Sequence, residues 1–189
     1  MKTLDVAKPI HRSPLRRALL LIAPALVIVT ALTATPARAT PACGFTSTNL
    51  LAPVLTGHFP SGLLDLMCNE FQQYRWFLKT IVKGDSDLYV TQNTWQPGGR
   101  TGWHTHPGPS LVTVIEGTLT VYEAADPTCV PTTYTAGDTF TDIGCGEVHN
   151  VVNETGAEAK VVAVRIVPAG QPQRIDEPAP GNCPALTCP

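Results

Sequence analysis

From Trp76 onward the chain is a succession of short runs rich in Val, Ile, Thr and aromatic residues, each ended by a turn bearing Gly, Pro or Asp. The runs are Trp76–Val82, Leu88–Trp95, Gly102–His106, Ser110–Glu116, Thr118–Glu123, Thr139–Asp142, Glu147–Val152 and Lys160–Val167. Lys83-Gly84-Asp85, Gln96-Pro97-Gly98-Gly99, Pro107-Gly108-Pro109 and Ala136-Gly137-Asp138 separate them. Branched and aromatic side chains suit a pleated, half-buried surface, and the turn residues end it. About eight such strands with almost no helix predict an all-β sandwich or small barrel of the jelly-roll kind. Leu63–Tyr74 is expected to hold a short helix, and Thr40–Ser61 to form an irregular arm against the barrel.

The first 39 residues have the form of an address. Lys2, Lys8, Arg12, Arg16 and Arg17 lead an apolar run from Ala18 to Ala34, and Ala37-Arg38-Ala39 follows as a small-residue cleavage site. The competing reading is a retained anchor, against which Pro24 interrupts the run. Cleavage after Ala39 makes the mature chain a secreted, extracellular domain from Thr40, with no stable membrane partner. The expected divisions are residues 1–39 signal peptide, 40–73 arm, 74–168 barrel and 169–189 tail. That tail is rich in Pro and Cys.

Six of the 13 basic and one of the 15 acidic residues lie in the first 39, leaving seven basic against fourteen acidic beyond them. An acidic surface of that kind excludes nucleic acid and anionic lipid as natural partners. All six cysteines, Cys43, Cys68, Cys129, Cys145, Cys183 and Cys188, fall in the mature part. An even count in an exported chain predicts disulfides, though six cysteines admit about 15 pairings. Cys129 with Cys145, which bracket one short segment, and Cys183 with Cys188 in the tail are the expected pairs.

Chemistry enters with three histidines. His104 and His106, two residues apart, project from the same face of a strand. His149, on a later run, can complete a three-imidazole set with coordination positions left open. Imidazole nitrogens suit a divalent transition metal (copper, zinc, iron, manganese or nickel) better than Mg or Ca, and copper or zinc suits an oxidising compartment best. His58 stands apart from this set.

These residues resemble the two motifs of the cupin superfamily. Gly98, His104, His106 and Gly117 match G-x₅-H-x-H-x₃₋₄-E-x₆-G, with Ser110 in the glutamate position. Gly137, Gly146, His149 and Asn153 match G-x₅-P-x-G-x₂-H-x₃-N, with Gly144 in place of proline and one residue more after Gly137. The Gly-Trp-His-Thr-His-Pro-Gly-Pro stretch is similar to that of single-domain exported bacterial cupins. The resemblance implies a double-stranded β-helix, or RmlC-like jelly roll, over Lys79–Val167. It implies His104, His106 and His149 as metal ligands and a homodimer as one possible assembly.

Around the histidines, Glu147 is the candidate catalytic residue. On a regular strand it shares the face of His149 and can replace the missing carboxylate, orient His149, or act as base. Ser110, Arg100 and Tyr122 are the candidate substrate contacts, Arg100 as a catcher of anions at the mouth. The favoured function is a metal-dependent oxygenase on a small organic molecule, in the manner of cupin-like dioxygenases with neutral three-His sites. A non-catalytic protein that binds a metal or small ligand remains open, as does an isomerase or lyase in which the metal is only a Lewis acid.

Overall fold

The computed structural model describes residues 38–52, 54 and 56–185; the signal-peptide reading of 1–39 and Cys188 fall almost wholly outside them. In chain order the elements are β1 (Cys43–Asn49), β2 (Gly57–Phe59), β3 (Leu66–Asn69), α1 (Phe71–Tyr74), β4 (Phe77–Thr80) and β5 (Ser86–Arg100). Then follow β6 (His104–Thr105), β7 (Ser110–Glu116), β8 (Thr118–Glu123), β9 (Thr132–Thr135) and β10 (Thr139–Asp142). Last come β11 (His149–Val152), β12 (Ala159–Pro168) and β13 (Ile175–Asp176). The fold is all-β, and its main sheet curls into a nearly closed double-stranded β-helix.

One wall runs β10-β7-β12-β5, and the other is built on β8, which pairs with both β9 and β11. Strand β5 joins them. Its first ten residues, Ser86–Trp95, pair with β12, and at Arg100 it pairs with Val152 of β11. The change of direction falls at Gln96-Pro97-Gly98-Gly99. There a Cβ on Gly99 would lie 2.4 Å from the Gly44 carbonyl oxygen, so glycine lets β1 approach the bend.

The wall interior follows from alternation. Ala159, Val161, Ala163 and Val167 of β12 point inward, as do Val112 and Val114 of β7 and Leu119 and Val121 of β8. With Trp95 and Val151, all of these except Val167 form one core cluster, against which Phe45, Tyr134 and Phe140 pack. A second cluster joins Trp103, Tyr122, Cys129 and Val152.

Three expectations need correction. The arm from Thr40 is not irregular: β1 pairs with β5 from Thr91 to Trp95 and again at Arg100, and β2 pairs with its beginning, because β5 is long enough to accept partners on both edges. Leu63–Tyr74 holds only the four-residue α1, since Leu66–Asn69 instead pairs with Phe77–Thr80 in a separate two-stranded sheet. The predicted Trp76–Val82 strand therefore lies outside the barrel.

Disulfide pairing is also different. Cys129 bonds Cys183, with Cα atoms 5.3 Å apart, while Cys145 is free and exposed. Cys145 sits in a turn whose N–H donates to the His106 carbonyl (2.7 Å), whereas Cys129 packs beside Trp103 and Tyr122 in the other cluster. Closeness along the chain is no guide when the intervening strands belong to different parts of the barrel. The local Cys183–Cys188 pair is excluded by the same bond.

Candidate metal centre

His104 on β6 lies directly across from His149 on β11, so strand pairing itself sets those two rings face to face. His106 follows two residues after His104. Ring centroids are 4.3 Å apart for His104 and His149, 4.8 Å for His104 and His106, and 5.4 Å for His106 and His149. One ring nitrogen from each lies within 4.8 Å of the others, and all three residues are buried.

The far nitrogen of each ring is held by backbone. His104 Nδ1 donates to the Gly102 carbonyl at 2.8 Å, and His106 Nδ1 to that of Gln173 at 2.5 Å. The His149 ring is bonded to the Glu147 backbone. Such bonds fix the tautomer and aim the Nε2 lone pairs into the common space. Burial holds all three rings neutral: it carries His104 well below the ordinary imidazole value, His106 down to about 2, and His149 down against the opposing pull of Asp142.

Asp142 lies beside this set. Its Oδ2 lies 3.2 Å from His106 Nε2 and 3.8 Å from His149 Nε2, and its side chain is only 10% exposed. A carboxylate oxygen here faces two imidazole lone pairs, and the donors that reach these acceptors come from outside the set, from Ser110 to Asp142 and from Arg165 to His106. A cation between them satisfies all of these groups at once, and neutral imidazoles with one carboxylate suit a divalent transition metal. The residues fit such an ion. Asp142 is the cross-strand partner of Ser110, the position where the motif places glutamate. The carboxylate has moved one strand over, from β7 to β10.

Ser110 is fully buried and joins two charged groups: its Oγ accepts from Arg165 Nε (2.8 Å) and donates to Asp142 Oδ2 (3.3 Å). It positions them and does not line the cavity, which corrects its expected role as a substrate contact. Arg165 Nη2 also donates to His106 Nε2 at 3.2 Å. Burial lowers the Arg165 guanidinium to about 10, leaving it a cation at neutral pH.

Glu147, Arg100 and Tyr122 stand elsewhere. Glu147 is exposed and precedes β11 in the turn opened by Gly144, so strand parity does not reach it; it lines a neighbouring pocket of about 40 Å³ that shares Asp142 and His149 with the site, and not the main cavity. At Gly144 φ is +60°, a value closed to proline, which explains the motif departure there. Arg100 is buried at the bend of β5, where its Nη2 meets the Gly98 carbonyl at 3.5 Å, and it does not line the cavity. Tyr122 has the opposite parity from Leu119 and Val121. It packs with Trp103, donates to Glu154 Oε1 at 2.6 Å, and is pushed up to about 12, chiefly by burial.

The imidazoles, Asp142 and Arg165 border a cavity of about 240 Å³. Its remaining wall is largely apolar, from Trp95, Val112, Leu119, Phe140, Val161 and Ala163. Gln173 and Arg174 of the tail close one side. The tail is held by pairing of β13 with β6 and by Arg174 Nη2 donating to the Thr101 carbonyl at 2.6 Å. Asp142, Arg165 and Arg174 escaped sequence reasoning. For Arg165 a signal was present: it occupies an inward position of Lys160–Val167 otherwise filled by Val161, Ala163 and Val167.

A family model described as "Cupin domain" matches residues 93–165. No curated protein matches the chain. Among solved structures, a cupin domain from Bordetella pertussis Tohama I is 31% identical, over 42% of this chain and 80% of that one, with a TM-score of 0.36. An oxalate oxidase is 26% identical over 43% of this chain and 46% of its own, with a TM-score of 0.37. This chain therefore spans less than half of that protein. A predicted oxalate decarboxylase from Thermotoga maritima is 20% identical over 45% and 83%, with a TM-score of 0.36.

Proposed function

The chain belongs to the cupin superfamily, and we propose that it is an exported metal-dependent enzyme, an oxygenase acting on a small organic molecule. The observation that carries this reading is the clustering of three neutral imidazoles, one ring nitrogen from each within 4.8 Å of the others, with Asp142 Oδ2 3.2 Å from His106 Nε2, at the edge of a largely apolar cavity. His104, His106, His149 and Asp142 would hold the metal. When bound there, it supplies Lewis acidity and a place for dioxygen beside the substrate. Copper and zinc are the first metals to examine, since an exported protein meets them in an oxidising medium.

The chain's own groups do the rest. The backbone carbonyls behind the rings keep the imidazoles aimed and unprotonated. Asp142 is the one carboxylate lining the cavity among the described residues, so it is also the group able to accept a proton from a bound substrate. Ser110 fixes its orientation, and Arg165 stands ready for negative charge. The apolar wall keeps water away from the substrate body, which strengthens each polar contact at the other end.

Oxygen uptake tests the reading. The mature protein, loaded in turn with copper, zinc, iron, manganese or nickel, should consume oxygen with at least one member of a panel of enols, phenols and thiols. Absence of uptake and of product with every metal would remove it. Product without uptake would point to an isomerase or lyase. The scarcity of acid and base groups favours a second reading, a non-catalytic extracellular metal-binding or ligand-binding protein. Stoichiometric metal that resists a mild chelator, with no turnover in the same preparation, would select it.

A further inference from the structure

Arg165 is a partly buried cation whose two hydrogen bonds go to neutral acceptors, the Ser110 hydroxyl and the His106 Nε2 lone pair. Among the described residues no carboxylate forms an ion pair within 4.0 Å of its guanidinium; Asp142 shares the Ser110 hydroxyl with it and otherwise acts on it as a charge at longer range. A divalent ion at the three imidazoles changes the balance in two ways. It takes the His106 lone pair, which removes the acceptor of Arg165 Nη2. It also leaves the ion and Arg165 opposed by Asp142 alone, a surplus of positive charge in an enclosed site. Uncompensated charge away from water is costly, and an anionic ligand relieves it. The freed guanidinium presents the planar donor geometry that receives a carboxylate in two parallel hydrogen bonds.

The remainder of the cavity limits what that anion can carry. Of the other polar lining residues, Ser47 bonds Asn93, Thr101 bonds backbone, and Arg174 is held by Asp176 and the Thr101 carbonyl, while beyond Arg165 the wall continues as Trp95, Val112, Leu119, Phe140, Val161 and Ala163. A sugar or a second charged group placed there would lose its water without gaining partners. The cavity measures about 240 Å³, and an apolar cavity of roughly 150 Å³ accommodates benzene. A ring-sized apolar body with one acid group fills this space.

We infer that the site takes a small monocarboxylate whose apolar body is about one six-membered ring, with Arg165 receiving the carboxylate once a metal has displaced it from His106. The inference rests on the metal-centre reading above and adds the ligand class. It makes anion binding depend on metal loading, and Arg165 becomes a ligand-binding residue, not a merely structural one.

Calorimetric titration of the full mature protein with benzoate tests it, using zinc-loaded and metal-stripped samples and acetate and oxalate as comparison acids. Benzoate should bind the loaded protein at least tenfold more tightly than the stripped protein, and more tightly than either comparison acid. Arg165→Gln should keep stoichiometric zinc by elemental analysis yet lose roughly tenfold or more in benzoate affinity, the scale of a hydrogen bond to a charged group. Ala163→Leu, which narrows the apolar end, should weaken benzoate while leaving acetate unchanged. Equal benzoate affinity with and without zinc, or oxalate binding best, overturns the inference, and neither measurement depends on a variant folding. Stoichiometric zinc with no benzoate binding overturns it while leaving the metal centre standing. A protein that takes up no metal removes both.

Discussion

Around Trp95 the inner faces of the two walls border a cavity, whereas on the outer face of the β8–β11 wall Trp103, Tyr122 and Val152 pack directly against Cys129 and its disulfide partner Cys183. Both regions use Val and aromatic side chains on alternating strand positions, the first on inward positions and the second on the opposite parity. They differ in what the alternation includes. The open region admits His104, His106, His149, Asp142 and Arg165 among its apolar residues, and each polar group there is held by a backbone carbonyl or by Ser110. In the closed region the polar tip of Tyr122 is directed outward to Glu154.

The sharpest way to break this contrast is to remove a ligand from the open region. His149→Ala should abolish stoichiometric metal while leaving the thermal transition of the metal-free protein cooperative. Unchanged metal content, read by elemental analysis, would mean the site has been misplaced. In the closed region the losses should appear in stability instead. Trp103→Ala should cost about 3–5 kcal/mol, the range for emptying a buried aromatic site, and Cys129→Ser with Cys183→Ser about 4 kcal/mol from loop-closure entropy. Urea unfolding measures both, and a Trp103→Ala protein with native stability would show that this cluster is not the anchor.

A smaller effect is expected at the carboxylate. Asp142→Asn keeps the shape of the site and removes its one anionic donor, so metal affinity should fall roughly 10–100-fold, as for other groups supporting a metal site. Competition with a chelator of known strength reads this directly; a loss below twofold would assign Asp142 to structure alone. A further effect concerns protons. In metal-free protein His104 and His106 stay neutral in the fold, chiefly through burial, while the unfolded chain binds protons near pH 6.5. Stability should therefore decline as pH drops below about 6.5, by about 1.4 kcal/mol per pH unit for each of these two rings. A flat urea midpoint from pH 7 to pH 5 would contradict their desolvation.

Local pattern made much of this legible. Ser110–Glu116, Thr118–Glu123 and Thr139–Asp142 were recognisable as strands because branched residues and Gly turns bound them on both sides. The i, i+2 spacing of His104 and His106 carried their common direction with it. What escaped depends on register between distant strands. Nothing near Asp142 in the chain tells that Ser110 lies opposite, and nothing near Cys129 tells that the tail returns beside it. Glu147 misled because parity was extended into a turn whose Gly144 has left-handed backbone. Arg100 and Tyr122 misled because a bend in β5 and the opposite face of β8 carry them away from the cavity.

The His106 ring leans on the carbonyl of Gln173, and Gln173 belongs to a tail whose attachment includes the Cys183 bond to Cys129. Inside a cell, where thiols stay reduced, that tether would be missing and the imidazole less firmly aimed. Maturation of the centre would then be coupled to oxidation of this cysteine pair.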